Sequence, residues 1–335
     1  MQTDLICHSQ LQRAIYTRQD RRFNLTWKHE GSTLQKMSRW CDAVVSGSKV
    51  YFRPGEMYSK NIFVYQTTDS SWFEFHNSPH TNCALAIVNS DVLTTVGGGG
   101  FPYTSKLYSF TREQGKCGLW TEQFPTMQTK RRWTAVLNTG IDLVVAGGWG
   151  SANVPLATVE VMNIVTRKWS SAASLPEPLY HASVTLCGDY VYILGGYDVT
   201  KKPTRTVYTC SLSALLQSAT LTQTSRLTGA LSTSTITVWN RAGDLPVTES
   251  TCVSLHAQLL AIGGRDSDLK STTAVYMYNL ITKDWEIITH MLIPRHLCFA
   301  AVIPDNRVMV VGGETNNADN DSVEIATSSI SFVPT

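Results

Sequence analysis

Short apolar runs alternate with polar, turn-forming stretches along most of this chain, which is the pattern of β-strands joined by tight turns. Five of the apolar runs end in a glycine pair, at steps of 50, 48, 68 and 49 residues, with first glycines Gly97, Gly147, Gly195, Gly263 and Gly312. A degraded earlier copy, VYFRPG, ends at Gly55. The chain therefore contains six copies of one structural repeat.

A tryptophan marks the end of most copies. A β-rich segment follows each glycine pair, then comes a turn, then one of Trp72, Trp120, Trp169, Trp239 and Trp285. In three copies the same step of seven residues separates the end of the segment from the tryptophan: Tyr65 to Trp72, Met162 to Trp169 and Tyr278 to Trp285. This phasing predicts four antiparallel strands in each copy, with the tryptophan on the fourth strand and packed between neighbouring sheets.

The glycine pairs and phased tryptophans resemble kelch repeats, from Phe23 to the end of the chain. The resemblance implies an all-β fold, a six-bladed kelch-type β-propeller with four antiparallel strands in each blade. Physical reasoning agrees, because strands such as VYIL and VMVV are apolar on both faces and one sheet cannot bury both faces alone. Packing six sheets around an axis buries both apolar faces of each sheet.

The chain is predicted to divide into two parts. We expect residues 1–22 to form a leader, with Leu5, Leu11 and Ile15 compatible with a short helix, and residues 23–335 to form the propeller. The sixth copy has no tryptophan, whereas a spare one lies at Trp27, so the N-terminal segment is predicted to supply the outermost strand of the last blade. An insertion at about 211–236 lengthens blade four. It is either a variable surface segment or a docking element.

Composition and charge narrow the functional classes. The chain is 43% hydrophobic and 16% charged with a net charge of +2, which describes a globular protein without the basic stripe of a nucleic-acid binder. No apolar run is long enough for a membrane span, and we expect no membrane partner. The eight cysteines are expected to be buried and reduced, without structural zinc, in a cytoplasmic protein. No metal-binding motif and no cofactor motif stands out.

One face of the predicted propeller collects the loops that follow the glycine pairs and the loops that precede the innermost strands. These loops are rich in Arg, Tyr, Trp and His, which concentrate binding energy at interfaces. The resemblance implies that peptides are captured on this face. Some of the arginines and histidines are alternatively only structural fasteners between blades. The candidate contact residues are Arg39, Tyr58, Tyr103, Arg131, Arg132, Trp149, Tyr180, His181, Tyr197, Arg265, Asp266, Arg295, His296 and Asn316.

Two classes of function remain open. The first is a non-catalytic adaptor or scaffold, expected to be a monomeric propeller, that binds a protein or an acidic peptide. The second is an enzyme, because kelch-like propellers include sugar-acid mutarotases or epimerases and copper-radical oxidases. The Tyr, His and Cys constellation of the oxidases cannot be assembled from this sequence, whereas a mutarotase needs only an acid/base pair and an arginine for the anion.

Overall fold

Six four-stranded antiparallel sheets make up the chain in a computed structural model that describes residues 21–33, 42–55, 59–100, 103–111, 118–228 and 238–332. The predicted fold class, an all-β propeller with six blades of four strands, is confirmed. The expected leader helix around Leu5 to Ile15 lies outside the described residues, as do Arg39 and Tyr58.

The first strand, β1 (Arg21–Ser32), belongs to the last blade. Blade 1 contains β2 (Asp42–Ser46), β3 (Lys49–Arg53), β4 (Phe63–Gln66) and β5 (Ser71–Glu74). Blade 2 contains β6 (Ala84–Val88), β7 (Val92–Val96), β8 (Leu107–Thr111) and β9 (Leu119–Thr121). In both blades the strands lie side by side in chain order.

Blade 3 follows a short strand, β10 (Arg131–Arg132), which pairs with a second short strand, β13 (Trp149–Gly150). The sheet of blade 3 contains β11 (Ala135–Asn138), β12 (Asp142–Ala146), β14 (Val159–Asn163) and β15 (Lys168–Ala172). Blade 4 contains β16 (Ser183–Cys187), β17 (Tyr190–Leu194), β18 (Thr206–Ser211), helix α1 (Leu212–Thr228) and β19 (Asn240–Asp244).

Blade 5 contains β20 (Thr251–Leu255), β21 (Gln258–Ile262), β22 (Ala274–Tyr278) and β23 (Trp285–His290). Blade 6 begins with β24 (Phe299–Ile303), a 3₁₀ turn (Pro304–Asn306) and β25 (Arg307–Val311). A small hairpin of β26 (Glu314–Thr315) and β27 (Ala318–Asp319) precedes the long strand β28 (Ser322–Phe332). The sheet of blade 6 has the order β1-β28-β25-β24, so the N-terminal strand is its outermost member.

The ring closes as predicted. Strand β1 pairs antiparallel with β28, and Trp27 lies opposite Ala326. Each innermost strand contacts the innermost strand of the next blade, and β24 of blade 6 contacts β2 of blade 1. The C-terminal ISF belongs to β28, which continues past its pairing with β25 and keeps β1 as its partner up to Phe332.

The tryptophans pack between blades. Trp27 belongs to a cluster with Val253 and Leu255 of blade 5, and Trp239 of blade 4 to a cluster with Leu175 and Leu179 of the segment after blade 3. The other four lie in equivalent clusters: Trp72 between blades 6 and 1, Trp120 between 1 and 2, Trp169 between 2 and 3, and Trp285 between 4 and 5. The predicted role of the repeated tryptophan is confirmed.

The insertion in blade 4 differs from the sequence prediction, because no helix was expected and α1 forms within it. Leu215 and Ala219 of α1 are buried in the cluster between blades 3 and 4. The Ser218 hydroxyl accepts a 2.9 Å hydrogen bond from the backbone N–H of Ala173, at the edge of blade 3. The helix therefore covers the outermost strand of the neighbouring blade, β15, which otherwise leaves an exposed sheet edge.

The cysteines that the structure describes behave as small core residues. Cys83, Cys210, Cys252 and Cys298 are free, buried thiols, and Cys187 is buried as well. Burial raises the pKa of Cys252 and Cys210 to about 12. Among the described residues, no helix has the length and apolar character needed to cross a membrane.

Candidate binding face around the central cavity

Two sets of loops meet on one face of the propeller, which we call the mouth face. In blade 3, β10 before the innermost strand pairs with β13 after the glycines, and the same contact recurs as Tyr180 with Tyr197, Thr248 with Arg265 and His296 with Glu314. Glycine is required at Gly147 and Gly263, which have φ of +61° and +63° and where a Cβ would collide with a backbone carbonyl of the adjoining loop. These carbonyls belong to Leu179 and Arg295, so the first glycine of a pair lets the loop before the next blade's innermost strand approach closely.

A ring of side chains surrounds the axis at the mouth face. Two residues before the innermost strand, blades 2 to 6 each place one residue in the left-handed region, with φ between 53° and 58°. These residues, which we call the mouth ring, are Asn82 (55°), Trp133 (53°), His181 (53°), Glu249 (58°) and Leu297 (53°). All five line the central cavity.

The unusual backbone of the mouth ring has a structural cause. The N–H of Trp133 points to the carbonyl of Asn82, that of His181 donates to Trp133 at 3.0 Å, and that of Leu297 donates to Glu249 at 2.9 Å. The left-handed conformation thus ties neighbouring blades together. For a residue other than glycine or asparagine it costs about 1–2 kcal/mol, so the fold alone would favour glycine where Trp, His, Glu and Leu occur.

The central cavity has a volume of about 610 Å³ and is lined by the innermost strands of all six blades. Near the mouth it contains Asp42, whose carboxylate accepts a 2.7 Å hydrogen bond from the N–H of Leu85. Burial raises the pKa of Asp42 to about 6, against the opposing effects of Arg53 and of that hydrogen bond. Arg53 is itself buried and donates to the carbonyls of Cys83 and Pro54, each at 2.8 Å.

His181 is neutral in this setting. Burial, together with the nearby charges of Arg53 and Arg132, lowers the pKa of His181 to about 3. Its ring lies 4.8 Å from that of Trp133, with an interplanar angle of 30°. The cavity entrance thus presents a neutral imidazole beside an indole.

Aromatic side chains of blades 2 to 4 pack together at the mouth face, where Tyr103, Trp149 and Tyr180 are buried and Trp133 and Tyr197 are partly buried. This aromatic cluster consists of Tyr103, Trp133, Trp149, Tyr180 and Tyr197. The Arg132 guanidinium lies 4.4 Å from the centre of the Tyr103 ring and 3.7 Å from that of Trp133, which are favourable cation–π distances. Sequence prediction named four of the five cluster residues, and the structure brings them together.

A charged cluster occupies the opposite part of the mouth face, on blades 5 and 6. Arg265 lies 3.4 Å from the carboxylate of Glu249 and 3.9 Å from that of Glu314. His296 is buried, with Nε2 3.4 Å from Glu314 and 4.0 Å from Glu249, and its Nδ1 lies 3.0 Å from the Ser271 hydroxyl. The Tyr197 hydroxyl donates to Glu249, which joins this cluster to the aromatic one.

Two of the predicted contact residues are structural fasteners in the interior. Arg131 and Arg295 are both 0% exposed and form ion pairs of 2.6 Å with Glu160 and Glu324. Arg131 also donates to the carbonyls of Gly147 and Thr158, and Arg295 to those of Gly312 and Ser322. Their guanidinium groups hold the loops in place and are not presented on the mouth face.

The remaining predicted residues lie on the mouth face in different roles. The Asp266 carboxylate accepts the N–H groups of Asp268 and Lys270 and so shapes its own loop. Asn316 is exposed, and its N–H donates to the Ser271 hydroxyl. The candidate set predicted from the sequence did not contain Asn82, Trp133, Glu249 and Leu297. Their common offset, two residues before an innermost strand, was the signal that could have found them.

Metal ligation finds no support among the residues that the structure describes, where no three His, Cys, Asp or Glu side chains converge in a suitable group.

Comparison with known proteins agrees with the geometry. The Kelch motif family model matches residues 135–176 and 246–292. The chain is similar to Kelch-like protein 36 of Bos taurus, with 32% identity over 112 residues, which is 33% of this chain and 17% of that protein. The chain thus spans less than a fifth of that relative. A solved structure titled "Structure of YjhT" is similar with a TM-score of 0.67 and 13% identity, over 90% of this chain and 99% of that one, and shows the fold alone.

Proposed function

Because this chain is a kelch-repeat β-propeller, we propose that it is a non-catalytic interaction module that binds a protein or peptide partner on its mouth face. The mouth ring carries this proposal. Four of its five described residues keep a large side chain at a backbone position that favours glycine, and backbone strain of this kind accumulates where side chains serve function. The aromatic cluster beside the ring contributes Trp133 and Tyr197, which are only partly buried and belong to the aromatic types that are enriched at interfaces.

Localisation and assembly follow as parts of the same proposal. The four free, buried thiols at Cys83, Cys210, Cys252 and Cys298 support a reducing compartment such as the cytoplasm. The six blades close into one ring within a single chain, which supports a monomeric propeller acting as an adaptor or scaffold.

The test is affinity capture with quantitative mass spectrometry on the wild type and on Trp133→Ala. We expect the variant to recover about a tenth of the specific partner, since truncating a central aromatic residue costs on the order of 2 kcal/mol or more. Tyr190→Ala is the matched control, because Tyr190 is 41% exposed at a turn on the opposite face. Equal capture by Trp133→Ala, with loss in Tyr190→Ala, would sink the assignment of this face.

A sugar-acid mutarotase is the second candidate, because the cavity contains two groups with displaced pKa values, Asp42 and His181, beside Arg53. Such an enzyme needs an acid/base group and a cation for the substrate carboxylate. An anomerisation assay with sialic acid discriminates between the two functions. Turnover by the wild type that disappears in Asp42→Asn would favour the enzyme.

A further inference from the structure

Charges of opposite sign are segregated on the mouth face. Blades 3 and 4 form a basic sector, in which Lys130, Arg132, Lys201, Lys202 and Arg205 outnumber the acidic Glu177, Asp198 and Asp244, the last of which is paired with Arg241. Blades 5 and 6 form an acidic sector, in which Arg265 and Lys270 are outnumbered by Glu249, Asp266, Asp268, Glu314, Asp319 and Asp321. The net charge of the whole chain is only +2, so the segregation is a local property of this face.

The cations of the basic sector are held by aromatic rings. Arg132 is stacked between Tyr103 and Trp133, and the Lys201 ammonium lies 5.6 Å from the centre of the Trp149 ring. Within the described ranges, neither Arg132 nor Lys201 forms an ion pair with a carboxylate. The Arg132 side chain also hydrogen-bonds that of Tyr103, which fixes a positive charge at the mouth face where a partner carboxylate would be attracted. Acidic side chains of this sector already accept hydrogen bonds. The Glu177 carboxylate accepts one from the Tyr208 hydroxyl, and the Asp198 carboxylate accepts two from the N–H groups of Thr200 and Lys202.

In the acidic sector, by contrast, the carboxylates outnumber the cations that could pair with them. Glu249 and Glu314 share the single guanidinium of Arg265, at 3.4 and 3.9 Å. Glu249 also belongs to the mouth ring and lines the cavity, so this negative charge lies at the entrance. Asp268 and Asp319 are exposed on the mouth-face loops of blades 5 and 6.

A uniformly acidic segment lying across the mouth would be attracted by one sector and repelled by the other, and like charges in contact are costly at interfaces. We propose that the partner segment is bipolar: it carries an acidic stretch that binds over the basic sector and a basic stretch that binds over the acidic sector. The two sectors fix the direction in which the segment lies. This inference rests on the proposed function and narrows its partner from an acidic peptide to a segment with both charges.

The experiment uses a library of short random peptides displayed on phage and selected on the immobilised chain. Enriched peptides are expected to contain separate acidic and basic stretches in one preferred order. A synthetic peptide with the consensus order should bind about tenfold more tightly than the same residues in reversed order. Raising the salt concentration should reduce this difference, because exposed charges are screened.

A charge-reversal variant tests directly whether the two sectors set the direction of the bound segment. A variant with Lys201→Glu, Lys202→Glu, Asp268→Lys and Asp319→Lys exchanges the signs of exposed residues in both sectors and should prefer the reversed peptide. The matched control, Lys168→Glu with Asp189→Lys, alters exposed charges towards the opposite face and should keep the original preference.

Failure of the proposed function and failure of the bipolar partner alone would give different results. A library that yields no peptide, or yields peptides whose binding is unchanged in Trp133→Ala, would overturn the proposed function and this inference with it. Uniformly acidic peptides that lose binding in Lys201→Glu with Lys202→Glu, yet bind Asp268→Lys with Asp319→Lys as well or better, would overturn the bipolar partner alone.

Discussion

At the scale of single residues, neighbours in the sequence have opposite roles on the mouth face. Arg131 is 0% exposed and paired with Glu160, whereas the next residue, Arg132, is stacked on aromatic rings at the surface. The difference depends on Glu160, a residue of another strand whose carboxylate also accepts the N–H groups of Gln128 and Thr129. Sequence reasoning could name both arginines but could not assign their roles, because the pairing is a product of the fold.

The titration of Asp42 gives a prediction at this scale. Its pKa is raised from 3.8 to about 6, so the folded state binds a proton more tightly than the unfolded chain does. Stability contributed by this group is therefore present below about pH 4 and is lost as the pH rises through 6. At about 1.4 kcal/mol for each pKa unit, the loss is about 3 kcal/mol.

Urea unfolding of the wild type and of Asp42→Asn from pH 4 to pH 7 checks this prediction. The amide can still accept the hydrogen bond from Leu85 but does not titrate. Relative to Asp42→Asn, the wild type should become less stable across the interval. A difference that stays constant or grows in favour of the wild type would contradict the raised pKa.

At the scale of elements, strand β1 and helix α1 were predictable to different degrees. The spare Trp27 and the missing tryptophan of the sixth copy were enough to predict that β1 completes blade 6. Helix α1 has Leu212, Leu215, Leu216 and Ala219 at the spacing of one helical face, but its many Ser and Thr residues have low helix propensity and conceal that signal. Tertiary packing against blade 3 stabilises the helix, and a single segment does not reveal that packing.

Trp27 provides the test of closure by β1. Its side chain is 9% exposed and packs against blade 5, so Trp27→Ala should lower the free energy of unfolding by about 3–5 kcal/mol. Phe73→Ala is a suitable comparison, because Phe73 also lies on an outermost strand but is 40% exposed. Chemical denaturation measures both. Equal losses in the two variants would mean that β1 does not hold the ring together.

At the scale of the whole molecule, the repeat determines both the fold and the geometry of the site. Glycine pairs and phased tryptophans predicted six sheets around an axis, because each sheet has two apolar faces to bury. The same repetition places one mouth-ring residue in each of blades 2 to 6 at the cavity entrance. The identity of those residues differs from blade to blade, since the backbone fixes their position and leaves the side chain free to vary. The left-handed backbone itself could not be foreseen, because it arises from hydrogen bonds between blades.

The most direct test of the proposed binding face is site-specific photo-crosslinking in cells. The photoreactive residue p-benzoylphenylalanine replaces Leu297 of the mouth ring in one variant and Tyr190 of the opposite face in the other. We expect a discrete covalent adduct with a partner protein from position 297 and none from position 190. Adducts from position 190 alone would contradict this expectation.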